Sequence, residues 1–263
     1  MAFNTEGFNI WGIPPYLFCS CIATVVAVCA FIILLSNKGY RIDPYLKSLA
    51  VAIGGLAITA RLFGCISGVY GAIGRREVIT WDTVKNTGIV FYGGLIGMLV
   101  TYRLMLLKVG DETKDRTLDV LAVTIPLFHS ISRIGCFLGG CCYGSICNTP
   151  ISVLYTTDVM GEIVTAERIP IQLIEALLNL ALFIYLFILF TRDDWHKHHI
   201  YEQYLLIYSL LRFFLEFFRG DIIRGVVAGI SFSQVISIII WISLVIKHKL
   251  RNRKMEGLIH ESN

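Results

Sequence analysis

Charged residues are scarce in this chain, and it has no hydrophilic stretch long enough for a second globular domain. Only 16% of its 263 residues are Asp, Glu, Lys or Arg, whereas 56% are hydrophobic. It also lacks a basic stripe of the kind that binds nucleic acid, so nucleic acid is not an expected partner. The composition is typical of an integral membrane protein, and we expect a single membrane domain over residues 1–263.

Seven apolar segments are long enough, or nearly long enough, to form spanning helices. They cover residues 16–35, 47–71, 88–107, 118–138, 169–190, 203–218 and 226–246. Most approach the roughly 20 residues that a spanning helix needs, although the sixth is short and carries charges. The first lacks a basic leader and a small-residue cleavage site, so we expect it to remain as a helix. The sequence therefore predicts an all-α membrane protein with about seven spans.

Lysine and arginine are distributed unevenly between the two sets of loops. The richer set contains Lys38, Arg41, Lys47, Lys108, Lys114, Arg116, Arg192, Lys197, Lys247, Lys249, Arg251, Arg253 and Lys254. The poorer set contains Arg75, Arg76, Lys85, Arg168, Arg219 and Arg224. Positive residues favour the cytoplasmic side, which predicts a cytoplasmic basic tail at 247–263 and an outside N-terminus. The segment 143–168 is then an extracytoplasmic insertion, and its alternating ISVLYTT predicts a hairpin or strand pair.

The chain has eight cysteines but none of the paired CxxC knuckles that indicate a zinc site. Cys136, Cys141, Cys142 and Cys147 cluster after the fourth segment with the spacing C-x4-C-C-x4-C, which matches no standard zinc pattern. No metal is therefore expected. Cys136 or Cys147 is able to pair with one of the two adjacent cysteines in an oxidising exterior, or all four remain thiols.

A polar run interrupts the apolar chain at HSISRIGCFLGGCCYG, residues 129–144. A charge such as Arg133 costs roughly 2.5 kcal/mol or more in hydrocarbon, and irregular backbone is tolerated there only beside protein or trapped water. Glycines flank Arg133 and permit close approach of a ligand. We therefore expect this run to line a cavity, with His129 one turn before Arg133 as either a base or a packing donor.

The predicted topology places several polar side chains in the outer half of the membrane, where they can meet. They are Arg61, Tyr92, Arg133, Arg212, Glu216 and Arg219. The last three follow at intervals of four and three, so they share one face if the sixth helix continues through them. A cavity with four arginines, partly balanced by Glu216 and Asp221, is net positive and suits a phosphate-bearing lipid.

Each of these features also has a structural explanation. Arg212 and Glu216 form an i,i+4 pair that can simply neutralise itself, and Arg219 can extend to lipid headgroups. The glycines of YGGLIG, residues 92–97, can serve helix packing. The remaining polar residues can anchor or cap helices: Gln172 and Glu175 at the start of the fifth span, and Gln234 in the last.

Six segments, in this order, resemble those of the prolipoprotein diacylglyceryl transferases. They are GGLAITARLFG (54–64), YGGLIG (92–97), SRIGCFLGGCCYG (132–144), RIPIQLIEALLN (168–179), LLRFFLEFFRGD (210–221) and SFSQVISI (231–238). The chain departs from that family where Tyr92 replaces the histidine before GGLIG. The signature asparagines and glutamate are replaced by Cys136, Gly139 and Cys141. His129 is the preferred substitute for the missing imidazole, with Tyr92 as a hydrogen-bond donor instead.

The resemblance implies a seven-span enzyme of the bacterial plasma membrane that needs no cofactor. Its substrates are phosphatidylglycerol and a membrane-tethered prolipoprotein peptide, and glycerol phosphate is released. The catalytic residues that it implies are Arg133, Arg212, His129 and Tyr92. The substrate-binding residues are Arg61, Gly93, Gly94, Cys136, Gly140, Tyr143, Gln172, Glu175, Glu216, Arg219 and Gln234. The alternatives are a transferase with the same donor and another acceptor, or a non-catalytic protein that binds or transports membrane lipids.

Overall fold

The computed structural model describes the chain except residues 1, 5–9, 86–87, 89, 112, 160–161, 221–225 and 262–263. The helices are α1 (Pro15–Asn37), α2 (Ile42–Arg75), α3 (Trp81–Lys85), α4 (Phe91–Leu106), α5 (Thr117–Leu138), α6 (Ile171–Thr191), α7 (Ile200–Leu215) and α8 (Phe232–Glu261). Seven of them fall on the seven predicted apolar segments. The protein is therefore mostly helical, as the composition predicts.

Five helices in the described part of the chain are long and apolar enough to cross a membrane. They are α1, α2, α5 with the short 3-10 turn before it, α6, and α8 as far as Arg253. The other two predicted spans are shorter, because α4 and α7 each have 16 residues. The count of seven spans and the orientation of the termini remain predictions.

Two predicted segments differ from the observed helices at their ends. The sixth segment does not continue as one helix to residue 218, because α7 ends at Leu215 and a 3-10 turn, Glu216–Phe218, follows. Arg219 then has extended backbone with φ −83° and ψ 138°. The seventh segment begins with two short strands, β4 (Val226–Val227) and β5 (Ile230–Ser231), so α8 starts only at Phe232. Beyond 246, the predicted tail continues α8 as far as Glu261.

Helix α5 lies at the centre of the bundle. In its most apolar window 72% of residues are buried, against 17% in α1 and 33% in α6. The outer helices instead expose large apolar side chains, such as Ile58 at 72% and Leu177 at 66%, as expected of surfaces that face lipid. The central helix carries His129 and Arg133, so both polar side chains are surrounded by protein rather than by hydrocarbon.

Helices α2 and α4 pack closely because of the glycines in YGGLIG. A Cβ added at Gly93 would overlap the Phe63 side chain, and one added at Gly97 would overlap Thr59. At Gly94, the added atom would lie 3.2 Å from Leu56 Cγ and 3.3 Å from Ala60 Cβ, which is closer than ordinary van der Waals contact. These close contacts support the interpretation that the glycines allow α4 to pack against α2.

A small sheet covers the end of the bundle where Arg133 lies. Strands β2 (Val153–Val159) and β3 (Glu162–Arg168) form the predicted hairpin, and β1 (Ala2–Asn4) adds to β2 in parallel. The N-terminus and the insertion thus share one side of the protein.

Gly144 connects this region to the chain after α7. Its backbone pairs with Arg219, and its nitrogen donates to Ile169 O at 3.1 Å. A Cβ at Gly144 would lie 2.5 Å from that oxygen, so this approach requires glycine.

Candidate functional site

One buried carboxylate, that of Glu175 on α6, lies among three guanidinium groups. Arg133 on α5 donates from Nη2 to Oε1 at 2.9 Å. Arg212 Nη1 lies 3.6 Å from the same oxygen, and Arg219 Nη1 lies 3.7 Å from Oε2. Glu175 is 1% exposed, so these charges interact with little water between them. We define Glu175, Arg133, Arg212 and Arg219 as the Glu175 cluster.

Arg212 has a second carboxylate partner. Its Nη2 lies 2.8 Å from Glu216 Oε2, one turn further along the chain, and 3.5 Å from Ser233 Oγ on α8. Its Nη1 is buried and makes no hydrogen bond within the described residues. Among the described residues, this group contains three guanidinium groups and two carboxylates, those of Glu175 and Glu216. Guanidinium groups match the geometry of phosphate oxygens, so this group suits an anionic ligand such as a phosphate.

His129 lies against Arg133 and not in an open space. The Nε of Arg133 donates to His129 Nε2 at 3.1 Å, so the lone pair of Nε2 points at a cation. The ring stacks on Phe91 with centroids 3.9 Å apart and is 2% exposed as a residue. Its Nδ1 is buried and has no hydrogen-bond partner among the described residues. Proton abstraction by Nε2 would therefore require Arg133 to move first.

Tyr92, the residue at the position of the family histidine, is joined to α8. Its hydroxyl lies 2.8 Å from Ser237 Oγ, and it is 1% exposed. Its ring meets that of Tyr208 at a centroid distance of 5.5 Å. Tyr208 in turn lies 5.4 Å from the His129 ring, and its buried hydroxyl lacks a hydrogen bond in the described structure. Sequence reasoning missed Tyr208, although it precedes Arg212 by one helical turn and thus shares its face.

The turn after α5 brings cysteines beside the Glu175 cluster. Gly140 and Cys142 have positive φ angles of 64° and 60°, which turn the chain back toward Cys136. The Sγ atoms of Cys136, Cys141 and Cys142 all lie within 4.8 Å of one another. Gln172 holds this turn, because its Nε2 donates to Cys141 O at 2.7 Å. All eight cysteines are unbridged in this structure.

The other predicted binding residues occupy different surroundings. The guanidinium of Arg168 lies over the Tyr143 ring, with Cζ 4.3 Å from the ring centroid. Gln234 closes a capping box at the start of α8, since Ser231 N donates to its Oε1 at 2.9 Å and its own N donates to Ser231 Oγ at 3.2 Å. Arg61 is exposed on α2, unlike the buried arginines of the cluster. Asp221 lies outside the described residues.

One family model and several relatives match most of the chain. The family model described as prolipoprotein diacylglyceryl transferase matches residues 7–247. The chain is 28% identical over 249 residues to phosphatidylglycerol–prolipoprotein diacylglyceryl transferase 2 of Clostridium perfringens, covering 88% of this chain and 90% of that protein. The corresponding transferase of Clostridium tetani is 28% identical over 235 residues, with 88% and 91% covered. That of Clostridioides difficile is 26% identical over 265 residues, with 99% and 98% covered. The chain therefore belongs to the prolipoprotein diacylglyceryl transferase family.

Proposed function

We propose that this protein transfers the diacylglyceryl group of phosphatidylglycerol to the thiol of a lipoprotein cysteine and releases glycerol phosphate. The observation that carries the proposal is the Glu175 cluster, where three guanidinium groups surround one buried carboxylate. The relatives named above supply the substrate classes, because their names give phosphatidylglycerol as donor and a prolipoprotein as acceptor.

The reaction is a displacement at a glycerol carbon of the donor. The acceptor sulfur forms a C–S bond while the C–O bond to phosphate breaks, and the electron pair leaves with the phosphate oxygen. A phosphodiester leaves readily only when fixed cations stabilise its developing charge. Arg133 and Arg212 are the proposed clamp, since both are buried and arrive from different helices. Arg219 adds a third cation from the chain after α7.

Glu175 and Glu216 are proposed as positioning residues. Without a counter-ion, three buried guanidinium groups would repel one another, and the effective desolvation penalty is several kcal/mol per ion. Glu175 holds them within 3.7 Å of its oxygens before the donor binds. Glu216 orients Arg212 through the 2.8 Å contact. The phosphate of the donor then binds the guanidinium groups that these two carboxylates hold in place.

The membrane setting completes the proposal. All the helices except α3 span the plasma membrane of a bacterium, with the N-terminus and the β-hairpin outside and the C-terminal tail in the cytoplasm. The Glu175 cluster then lies near the outer surface, where a lipid enters between helices and an exported peptide presents its cysteine. Arg61, Gly93, Gly94, Gly140, Tyr143, Gln172 and Gln234 are the proposed binding and supporting residues around this path.

The test is an assay of the purified protein with phosphatidylglycerol and a lipobox peptide. Thioether product, identified by mass spectrometry, together with an equal amount of glycerol phosphate is the expected result. Glycerol phosphate released only with another acceptor would indicate a different transferase, and no turnover with any acceptor would indicate a lipid-binding protein. Rescue of cells depleted of their own transferase gives the same answer in vivo.

Arg133→Lys tests the clamp more cleanly than removal of the side chain. Lysine keeps the positive charge beside Glu175 but loses the planar fork that binds two phosphate oxygens. We expect a loss of turnover on the order of 10²-fold, comparable to removal of one preorganised donor to a developing oxyanion. Arg75→Lys is the matched control, because Arg75 lies in an exposed pair with Glu77. Equal turnover in both variants would remove Arg133 from the clamp.

A further inference from the structure

The three thiols after α5 form a group that the proposed displacement does not use. Cys136 is in the last turn of α5 and is 4% exposed, whereas Cys141 is exposed and Cys142 lies between these extremes. Their Sγ atoms all lie within 4.8 Å of one another. Cys136 is therefore held inside the protein, whereas Cys141 is accessible from outside.

The spacing of the cysteines in the sequence matches no standard zinc pattern, but the positions of the three sulfur atoms in the structure suit a soft metal ion. Sulfur atoms on a tetrahedral zinc ion, with Zn–S bonds of about 2.3 Å, lie about 3.8 Å apart. Small side-chain rotations bring three thiols from within 4.8 Å to that separation. Sequence patterns miss the site because Gly140 and Cys142, both with positive φ, fold Cys141 and Cys142 back onto the helix end. Three protein ligands also leave the fourth position open, as in catalytic zinc sites.

A guanidinium group of the Glu175 cluster lies beside the three cysteines. Arg133 Nη1 donates to Cys136 Sγ at 3.8 Å. Three thiolates with one zinc ion carry a net negative charge. Arg133, a member of the Glu175 cluster, contacts Cys136 and so places a positive charge beside this complex. The complex and the cluster are therefore complementary.

The acceptor thiol needs activation, and the two candidate bases are occupied in this structure. His129 Nε2 accepts from Arg133 Nε at 3.1 Å, and the Tyr92 hydroxyl lies 2.8 Å from Ser237 Oγ. A thiol that binds a metal ion is deprotonated outright. An open position on a metal ion next to the phosphate clamp would therefore replace the missing base.

We propose that Cys136, Cys141 and Cys142 hold a zinc ion whose fourth position binds the acceptor cysteine as a thiolate; this rests on the transferase function proposed above. On binding, the acceptor S–H bond breaks, its proton goes to water, and a Zn–S bond forms. The sulfur then attacks the glycerol carbon, the C–S bond forms, and the C–O electron pair leaves with glycerol phosphate. The neutral thioether is a weaker ligand and is replaced by water.

The first experiment measures the metal itself and needs no turnover. Protein purified with a phosphine reductant is analysed for zinc and then loaded with Co²⁺, whose thiolate charge-transfer absorption reports the sulfur ligands. We expect one zinc per chain, and loss of zinc and of the cobalt spectrum in Cys136→Ser, Cys141→Ser and Cys142→Ser. Cys147→Ser is the matched control, since Cys147 lies 3.6 Å from Thr149 Oγ1 and serine retains that contact.

The second experiment asks whether the ion binds the acceptor. A lipobox peptide should increase the charge-transfer absorption of the cobalt protein, whereas the same peptide with Cys→Ser should not. Chelation should reduce thioether formation about 10²-fold or more, the usual contribution of proton removal from a nucleophile, and added zinc should restore it. Cys141→Ala gives a second variant at the exposed position, where misfolding is least expected.

The outcomes separate this inference from the function on which it rests. Absence of zinc, a disulfide among the three cysteines, or full turnover in the chelated protein overturns the zinc proposal and leaves the transferase standing. If the lipobox peptide does not change the spectrum of the cobalt protein, the ion does not bind the acceptor cysteine. Zinc and peptide binding without thioether or glycerol phosphate overturns the transferase function, while the metal site remains.

Discussion

Removal of the charge on Glu175 should destabilise the protein strongly. Glu175→Gln keeps the shape of the side chain but leaves three guanidinium groups, at 2.9, 3.6 and 3.7 Å, without their shared counter-ion. At an effective dielectric constant of about 20, a single pair at the shortest of these distances attracts by roughly 6 kcal/mol before desolvation is subtracted. Breaking a buried ion pair by removing one partner costs about 3–5 kcal/mol, and we expect a loss of that size in the free energy of unfolding.

The assay is unfolding in a neutral detergent, followed by the accessibility of the buried cysteines. Glu77→Gln is the matched control, because its contact with Arg75 is equally short at 2.8 Å but its side chain is 53% exposed. No measurable change is expected there, since water screens the exposed pair. The same substitution at two equally short contacts therefore isolates the effect of burial.

Added lipid should distinguish this cluster from an ordinary buried salt bridge. Phosphatidylglycerol supplies a phosphate in place of the lost carboxylate, so it should stabilise Glu175→Gln more than the unaltered protein. Phosphatidylcholine, whose headgroup carries no net charge, should not reproduce the difference. A loss below about 1 kcal/mol, or equal stabilisation by both lipids, would refute the electrostatic account of the cluster.

Three further predictions concern packing, capping and pH. Gly97→Ala should cost about 1–3 kcal/mol of stability, measured by thermal unfolding, because the added methyl group overlaps the Thr59 side chain. Gln234→Ala should lower stability by about 1 kcal/mol in the same assay, since it removes one half of the capping box on α8. The pKa of Asp111, in the loop between α4 and α5, is lowered by hydrogen bonds from the Tyr45 hydroxyl and from Thr113. Its contribution to stability is therefore present above its unfolded pKa of about 3.9 and should be lost as the pH falls further.

Each of these predictions has a control on the same chain. Gly54→Ala, where an added Cβ meets nothing within 4 Å, should be tolerated if overlap is the cause at Gly97. Gln234→Glu retains an acceptor for the backbone nitrogen and should keep most of the capping. Asp111→Asn should remove the pH dependence assigned to that carboxyl, and an unchanged profile in this variant would assign it elsewhere.

The helical membrane class could be read from the sequence because it follows from local composition. Apolar stretches of spanning length dictate helices wherever backbone groups cannot reach water, and seven of the observed helices fall on them. The alternation in ISVLYTT likewise predicted the hairpin, whose strands are present. Arg133 and Arg212 were recognisable as functional candidates because a charge within an apolar segment needs a specific partner.

The identity of those partners was decided only by the tertiary structure. Glu175 was predicted as one binding residue among several, yet it is the carboxylate that Arg133, Arg212 and Arg219 share. That role depends on which faces of α5, α6 and α7 meet. The sequence of each segment alone does not show which faces these are. The end of α7 before Arg219 and the folding of Cys141 and Cys142 onto Cys136 are decided in the same way. Local hydrophobicity determines where helices form, whereas long-range packing determines which charges and thiols face one another.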